Sequence, residues 1–164
     1  MKDIKPIKRH PAIAALSRDH HTGLLLVWKI REGIKKSVEP ERIKQYIIHS
    51  FEAELEPHFR EEEEILFNKI ETENKLRIVA EMDHAAIRGL IDEMNGNTLS
   101  SYEVLQTFAD RLEKHIRFEE RELFNFFQNH LSEDVLKEIA SLLYKKKHEQ
   151  NRLHWTDTFW ERNS

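Results

Sequence analysis

Two histidine–glutamate pairs are the residues of this sequence whose types and spacing best suit chemistry. His58 precedes Glu62 by four residues, and His115 precedes Glu119 by the same interval. Four residues turn an α-helix by slightly more than one revolution, so the two members of each pair lie on one face, one turn apart. Each pair therefore predicts an imidazole and a carboxylate that are presented to one metal site.

The sequence around the two pairs is repeated. Residues 56–67 (EPHFREEEEILF) and 113–124 (EKHIRFEERELF) agree at seven of twelve positions. A weaker repeat precedes each segment, because His20 and His84 both follow an aspartate. The pattern predicts one helical hairpin used twice about a pseudo-twofold axis. Its four imidazoles and two carboxylates suit two carboxylate-bridged metal ions, iron or another first-row metal rather than calcium.

The first helix offers two neighbouring histidines. His20 lies four residues from both Leu16 and Leu24, so it shares the predicted core stripe. We therefore prefer it to His21 as the ligand, although the spacing leaves both open. Three further carboxylates lie close enough in sequence to reach the same site, namely Glu61, Glu81 and Glu120.

The composition indicates which elements would position these ligands. The 164 residues include ten His, no Cys, and only four Gly and four Pro. So few turn residues argue against the tight corners of a β-sandwich or barrel. The absence of Cys excludes a disulfide framework, a thiolate zinc site and a cysteine nucleophile. The predicted fold is all-α: an up-down antiparallel four-helix bundle with an additional C-terminal helix.

Hydrophobic periodicity gives approximate helix bounds. The predicted helices are about 12–36, 40–70, 73–94, 100–129 and 132–151. Pro57 should kink or split the second helix, because proline lacks the N–H of an internal helical bond. Ser100 and Glu103 form a capping-box pattern at the start of the fourth helix.

We expect a single domain over residues 1–164, with its core at 12–130 and the C-terminal helix and aromatic tail at 132–164. The aromatic content of the tail, Trp155 to Trp160, favours docking on the bundle. The net charge of -4 and the lack of a basic motif argue against a nucleic-acid partner. No apolar run is long enough to span a membrane, and no signal-type stretch follows the basic start, so we expect a cytoplasmic protein.

These motifs resemble the hemerythrin-like, HHE cation-binding family. The resemblance covers roughly residues 12–130 and rests on LSRDHH, EPHFREEEEILF, EMDHAAI and EKHIRFEERELF in the first four helices. It implies a four-helix bundle with a non-haem di-iron centre that binds a small ligand such as O2, NO or peroxide. The iron ligands that it implies are His20, His58, Glu62, His84, His115 and Glu119.

Two departures separate this chain from the oxygen-carrying members of that family. Those carriers pair two histidines four residues apart in the third helix, whereas Ala80 and Arg88 stand four residues either side of His84. They also place an aspartate five residues after the histidine of the fourth helix, where this chain has Glu120. The resemblance therefore implies ligand binding, sensing or iron handling by two iron ions with a bridging oxo or hydroxo group, rather than a dedicated enzyme.

Two other interpretations compete with this one. A ferritin-like di-iron carboxylate oxidase requires two Glu-x-x-His motifs, and the chain has one, from Glu81 to His84. A helical interaction module without metal would leave the histidines incidental to function. An excess of carboxylates over imidazoles at the site would favour the oxidase.

Overall fold

The computed structural model describes residues 8–96, 101–147 and 155–161, and every regular element within them is helical. Helix α1 spans Pro11–Lys35, with proline in its first turn, where the missing N–H costs nothing. His10 caps this helix, because its Nδ1 accepts a hydrogen bond from the backbone N–H of Ala12 at 3.1 Å. The observed start and end agree closely with the predicted 12–36.

Helix α2 occupies residues 40–69 and changes its hydrogen-bond register along its length. It consists of Pro40–Ser50, a π-helical turn Phe51–Leu55, Glu56–Glu61, a second π-helical turn Glu62–Leu66, and a final 3-10 turn Phe67–Lys69. Pro57 does not split the helix, because helical backbone continues on both sides of it. The first π-helical turn ends at Leu55, two residues before Pro57, so the register has already changed where the proline N–H is missing.

Helices α3, α4 and α5 complete the bundle. Helix α3 spans Lys75–Gly96 and ends at the predicted Asn95-Gly96 turn. Helix α4 occupies residues 102–130 as Tyr102–Phe118, a π-helical turn Glu119–Leu123, and Phe124–His130. The predicted cap Ser100 lies outside the described residues. Helix α5 spans Glu133–Lys147, and its predicted cap Ser132 accepts from the backbone N–H of Val135 at 3.3 Å.

Two separate hydrophobic clusters divide the interior of the bundle. One contains Leu26, Ile30, Phe59, Ile87, Leu112 and Ile116 among others, and the second contains Leu16, Leu66, Phe67, Ala80, Leu123 and Phe124 among others. Each of α1 to α4 contributes residues to both clusters, so each helix passes through the layer between them. The structure is therefore a helical bundle. The up-down order of its helices and its single-domain organisation over residues 1–164 stay predictions.

The C-terminal tail docks on the bundle over the described residues 155–161, as its aromatic content predicts. Phe159 is fully buried against Gly33, where a Cβ atom would lie 2.7 Å from the phenylalanine Cε2. Arg42 donates two hydrogen bonds to Asp157, at 2.7 and 3.0 Å. Hydrophobic burial and a bidentate ion pair thus hold the tail against α1 and α2. None of the described helices is long and apolar enough to cross a membrane.

Candidate metal centre

The six predicted ligands meet in the layer between the two hydrophobic clusters. All of them are at most 5% exposed: His20, His58, Glu62, His84, His115 and Glu119. Their ligand atoms form two groups, each with all its atoms within 4.8 Å of one another. The first group is His20, His58, Glu62 and Glu119, and the second is Glu62, His84, His115 and Glu119. Because the two glutamates belong to both groups, either carboxylate can bridge two ions.

The carboxylate of Glu62 joins one histidine of each group. Its Oε1 lies 3.0 Å from Nε2 of His58 and 3.5 Å from Nε2 of His84. His58 precedes Glu62 by one turn of α2, whereas His84 reaches it from α3. The local helical spacing therefore supplies one contact, and helix packing supplies the other.

The carboxylate of Glu119 repeats this arrangement in the other half of the bundle. Its Oε1 lies 2.5 Å from Nε2 of His115 and 3.5 Å from Nε2 of His20. The first contact is again one turn along the same helix, and the second comes from α1. The repeat that the sequence predicts is thus present in the geometry of the site.

Eight buried atoms at this site have no hydrogen-bond partner among the described residues. They are Nε2 of His20, His58, His84 and His115, and both side-chain oxygens of Glu62 and Glu119. Burying so many polar atoms without hydrogen-bond partners reduces the stability of the folded state, and native structures rarely contain such atoms without a reason. Metal ions at the centre of the cluster would satisfy all eight atoms together. The residues present therefore fit a metal site.

A second set of carboxylates holds the outer nitrogens of the four imidazoles. Each Nδ1 lies at hydrogen-bond distance from one carboxylate oxygen: His20 from Glu120 (2.7 Å), His58 from Asp19 (3.1 Å), His84 from Glu63 (2.8 Å) and His115 from Asp83 (3.0 Å). An ionised carboxylate only accepts, so each Nδ1 carries the proton and donates it. In the neutral imidazole, this tautomer leaves the lone pair of Nε2 facing the centre, as a metal ligand requires.

Sequence reasoning missed most of these outer carboxylates. It assigned no role to Glu63, which is 31% exposed and accepts from His84. It considered Glu120 as a direct ligand, whereas Glu120 accepts from the outer nitrogen of His20. The available signal was the repeat itself: an aspartate precedes the histidine in α1 and in α3, and a second glutamate directly follows both Glu62 and Glu119.

The remaining candidates are not members of the two ligand groups. His21 is exposed, which favours its neighbour as the ligand of α1. Glu81 forms an ion pair with Arg77 one turn earlier on α3. Glu61 is buried and belongs to a third cluster with Asp19 and His58, on the outer side of that imidazole.

The electrostatics of the cluster favour positive charge at its centre. Burial lowers the pKa of His115, but Glu119 and Asp83 outweigh it and raise this pKa to about 10. Burial also opposes the charge on His58, yet Glu62 and Asp19 hold its pKa well above the usual range. Burial alone would raise the pKa of Glu119, but the adjacent imidazoles hold it well below the usual range. Ligands that attract protons this strongly also attract cations.

The two π-helical turns at the site begin at Glu62 and Glu119, the two glutamates that belong to both ligand groups. The N–H of Phe67 donates to the carbonyl of Glu62, five residues earlier, and Phe124 donates to Glu119 in the same way. In a uniform α-helix, five residues would rotate each phenylalanine about 140° away from its glutamate. The wider turn removes much of this offset, and Phe124 stacks on His20 with a 5.0 Å centroid distance. Such turns are frequent at functional sites.

A cavity of about 60 Å³ reaches the site between α1, α2 and α4. Its inner wall includes His20, His58, His115 and Glu119, whereas His84 and Glu62 do not line it. One water molecule needs about 10–15 Å³ of such space, so the cavity has room for a small ligand. The opening thus lies on the side of the first ligand group.

The bundle and its buried His/Glu layer define a helical protein with a site suited to metal ions. The family model of the hemerythrin HHE cation-binding domain matches residues 11–127, which include all six predicted ligands. The chain belongs to this family, as its motifs indicated. No curated protein and no solved structure matches the chain significantly.

Proposed function

We propose that this protein is a non-haem di-iron protein that binds or senses O2, NO or peroxide, or handles iron. The observation that carries the proposal is the set of eight unpaired buried ligand atoms. They provide two imidazole nitrogens and two carboxylate oxygens for each of two ions. A mixed imidazole and carboxylate set suits iron, and the two shared carboxylates suit bridging.

The number of ligand atoms supports an open position on each ion. Four protein atoms and a bridging oxo or hydroxo group would give five ligands, which leaves one position for a small exogenous molecule. Iron would supply the ligand binding and any electron transfer. The cavity beside His20 and His58 supports access on that side.

Successive helices pass from one hydrophobic cluster to the other in alternating directions, which supports the up-down order expected of this architecture.

The protein side chains would hold the site rigid and dry. The four outer carboxylates fix the tautomer and orientation of the imidazoles, which is a common way to tune a bound metal. His84 stacks on Phe59 with a 3.9 Å centroid distance and an 11° interplanar angle. The clusters above and below exclude water from the ligand layer, so electrostatic interactions within it are strong.

The two competing interpretations fit this geometry less well. Four imidazoles and two carboxylates are the reverse of the carboxylate excess expected of a ferritin-like oxidase. A metal-independent interaction module would leave the eight buried atoms without compensation, at a large cost in stability.

Anaerobic reconstitution with Fe(II) tests the proposal directly. We expect about two Fe per chain and an absorption spectrum that changes on exposure to O2 or NO. Replacing His58 or His115 by Ala should reduce the metal content, whereas His21→Ala is a matched control that should not. A washed wild-type protein that retains no metal would overturn the proposal.

A further inference from the structure

Arg88 binds the carboxylate of Glu63, one of the four outer carboxylates. Arg88 donates to both oxygens of Glu63, through Nη1 at 2.7 Å and Nη2 at 3.1 Å. It also donates to both oxygens of Glu56, through Nε at 2.9 Å and Nη2 at 3.0 Å. The Glu63 oxygen that accepts from Nη1 is the same Oε1 that accepts from Nδ1 of His84 at 2.8 Å. One carboxylate oxygen is therefore shared between a guanidinium and an imidazole of the site.

A second arginine does the same in the other half of the bundle. Arg9 contacts Oε2 of Glu120 at 3.2 Å and also donates to the backbone carbonyl of that residue. It is fixed by a further hydrogen bond to Asn125 at 2.7 Å. Oε1 of the same Glu120 accepts from Nδ1 of His20 at 2.7 Å. In each ligand group, one histidine therefore donates to a carboxylate that also accepts from an arginine: His20 in the first group and His84 in the second.

The internal repeat does not account for this duplication. Aligning His84 with His20 places Arg88 opposite Leu24, a half-buried apolar residue of α1. Arg9 instead lies before the first helix, outside the repeated hairpin. The same interaction is therefore supplied from two unrelated positions, so it does not follow from the repeated architecture alone.

We propose that Arg88 and Arg9 are positioning residues of the metal centre, which share the carboxylates of Glu63 and Glu120 with the imidazoles and limit the negative charge that reaches the ions. The proposal rests on the proposed function, since it concerns how that centre is tuned. A guanidinium offers a rigid fork that matches both oxygens of a carboxylate. With an oxygen engaged by arginine, the carboxylate attracts the Nδ1 proton less strongly, and the imidazole is a weaker donor to the ion.

The sign of the effect follows from this geometry. Removing Arg88 frees Glu63 to accept more fully from His84, which makes that imidazole a stronger electron donor. Removing a positive charge near the ion acts in the same direction. Both changes stabilise the oxidised ion, so the reduction potential of the iron-loaded protein should fall.

The test compares Arg88→Met with Arg77→Met in the full-length, iron-loaded protein. Arg77 lies on the same helix and lines the same surface cleft, but it pairs with Glu81, which contacts none of the four site histidines. We expect a lower potential in Arg88→Met, a potential near wild type in Arg77→Met, and at least partial recovery in Arg88→Lys. In the Glu63→Gln background, adding Arg88→Met should lower the potential less than it does in the wild type, because the part of the effect that acts through the Glu63 contact is already lost.

A readout without iron locates the effect on one imidazole. In the Zn(II)-loaded protein, Arg88→Met should shift the NMR signal of the His84 Nδ1 proton and leave that of His58 in place. Arg9→Met should act on His20 instead. Equal potentials and equal spectra in Arg88→Met and Arg77→Met would overturn the inference alone. A wild-type chain that takes up neither metal would overturn the proposed function first, and metal analysis shows this before any potential is measured.

Discussion

In the proposed two-metal centre, replacing Glu62 by Ala should weaken the binding of both metal ions, whereas replacing a histidine should weaken the binding of only one. Glu62 belongs to both ligand groups, but His58 belongs to the first and His84 to the second. Structural zinc sites with four ligands bind with roughly 10–16 kcal/mol, which corresponds to about 2.5–4 kcal/mol per ligand. Since about 1.4 kcal/mol is a factor of ten, losing one ligand should weaken the binding of an ion by roughly 60- to 700-fold.

Metal content at a buffered concentration distinguishes these cases. With free Zn(II) set at about ten times the wild-type dissociation constant, the wild type should hold close to two ions per chain. Under the same conditions His58→Ala and His84→Ala should each hold about one ion, and Glu62→Ala should hold close to none. Glu64→Ala is the matched control, because this residue of the same acidic tract is exposed and should keep both ions. Circular dichroism checks that each variant is folded.

One result would refute the reasoning about the bridge. If Glu62→Ala is folded and still retains one tightly held ion, the carboxylate serves a single ion and the two groups do not share it. If the Glu64→Ala control loses metal equally, the effect arises from the charge of the tract rather than from coordination.

Three further predictions follow from the same geometry. His20→Ala should lose the ion of the first group while His21→Ala keeps it, as measured by metal content, and the reverse result would make His21 the ligand. Binding of metal at pH 7.5 should release protons, and the affinity for metal should rise as pH rises toward 10. The reason is that His115, with its pKa raised to about 10, must lose its proton to bind metal. Calorimetry in buffers of different ionisation enthalpy measures the proton release, and no release would contradict the prediction. Gly33→Ala should destabilise the fold by about 1–3 kcal/mol, because its Cβ would lie 2.7 Å from a buried aromatic ring. Gly89→Ala, with no atom within 4 Å of the added Cβ, should instead be stabilising in chemical denaturation, and equal losses would refute the packing argument.

The amino-acid sequence by itself determined the helices and the residues that meet at their centre. Local spacing fixes which side chains share a helical face, so the spacing alone pairs His58 with Glu62 and His115 with Glu119. The low content of Gly and Pro made long helices the natural interpretation. The repeat of the motif then located the two halves of the candidate site, both of which lie within the residues 11–127 that the family model matches.

The tertiary structure alone decided how the helices support one another across the site. Asp19 and Glu63 each support a histidine on a different helix, and that pairing depends on how the helices are rotated and packed. The π-helical turns shift the hydrogen-bond register by one residue, and α-helical periodicity gives no sign of where such a shift occurs. Arg9 reaches Glu120 across 111 residues of sequence. Local spacing follows from the geometry of one helix, whereas these contacts follow from the relative placement of several.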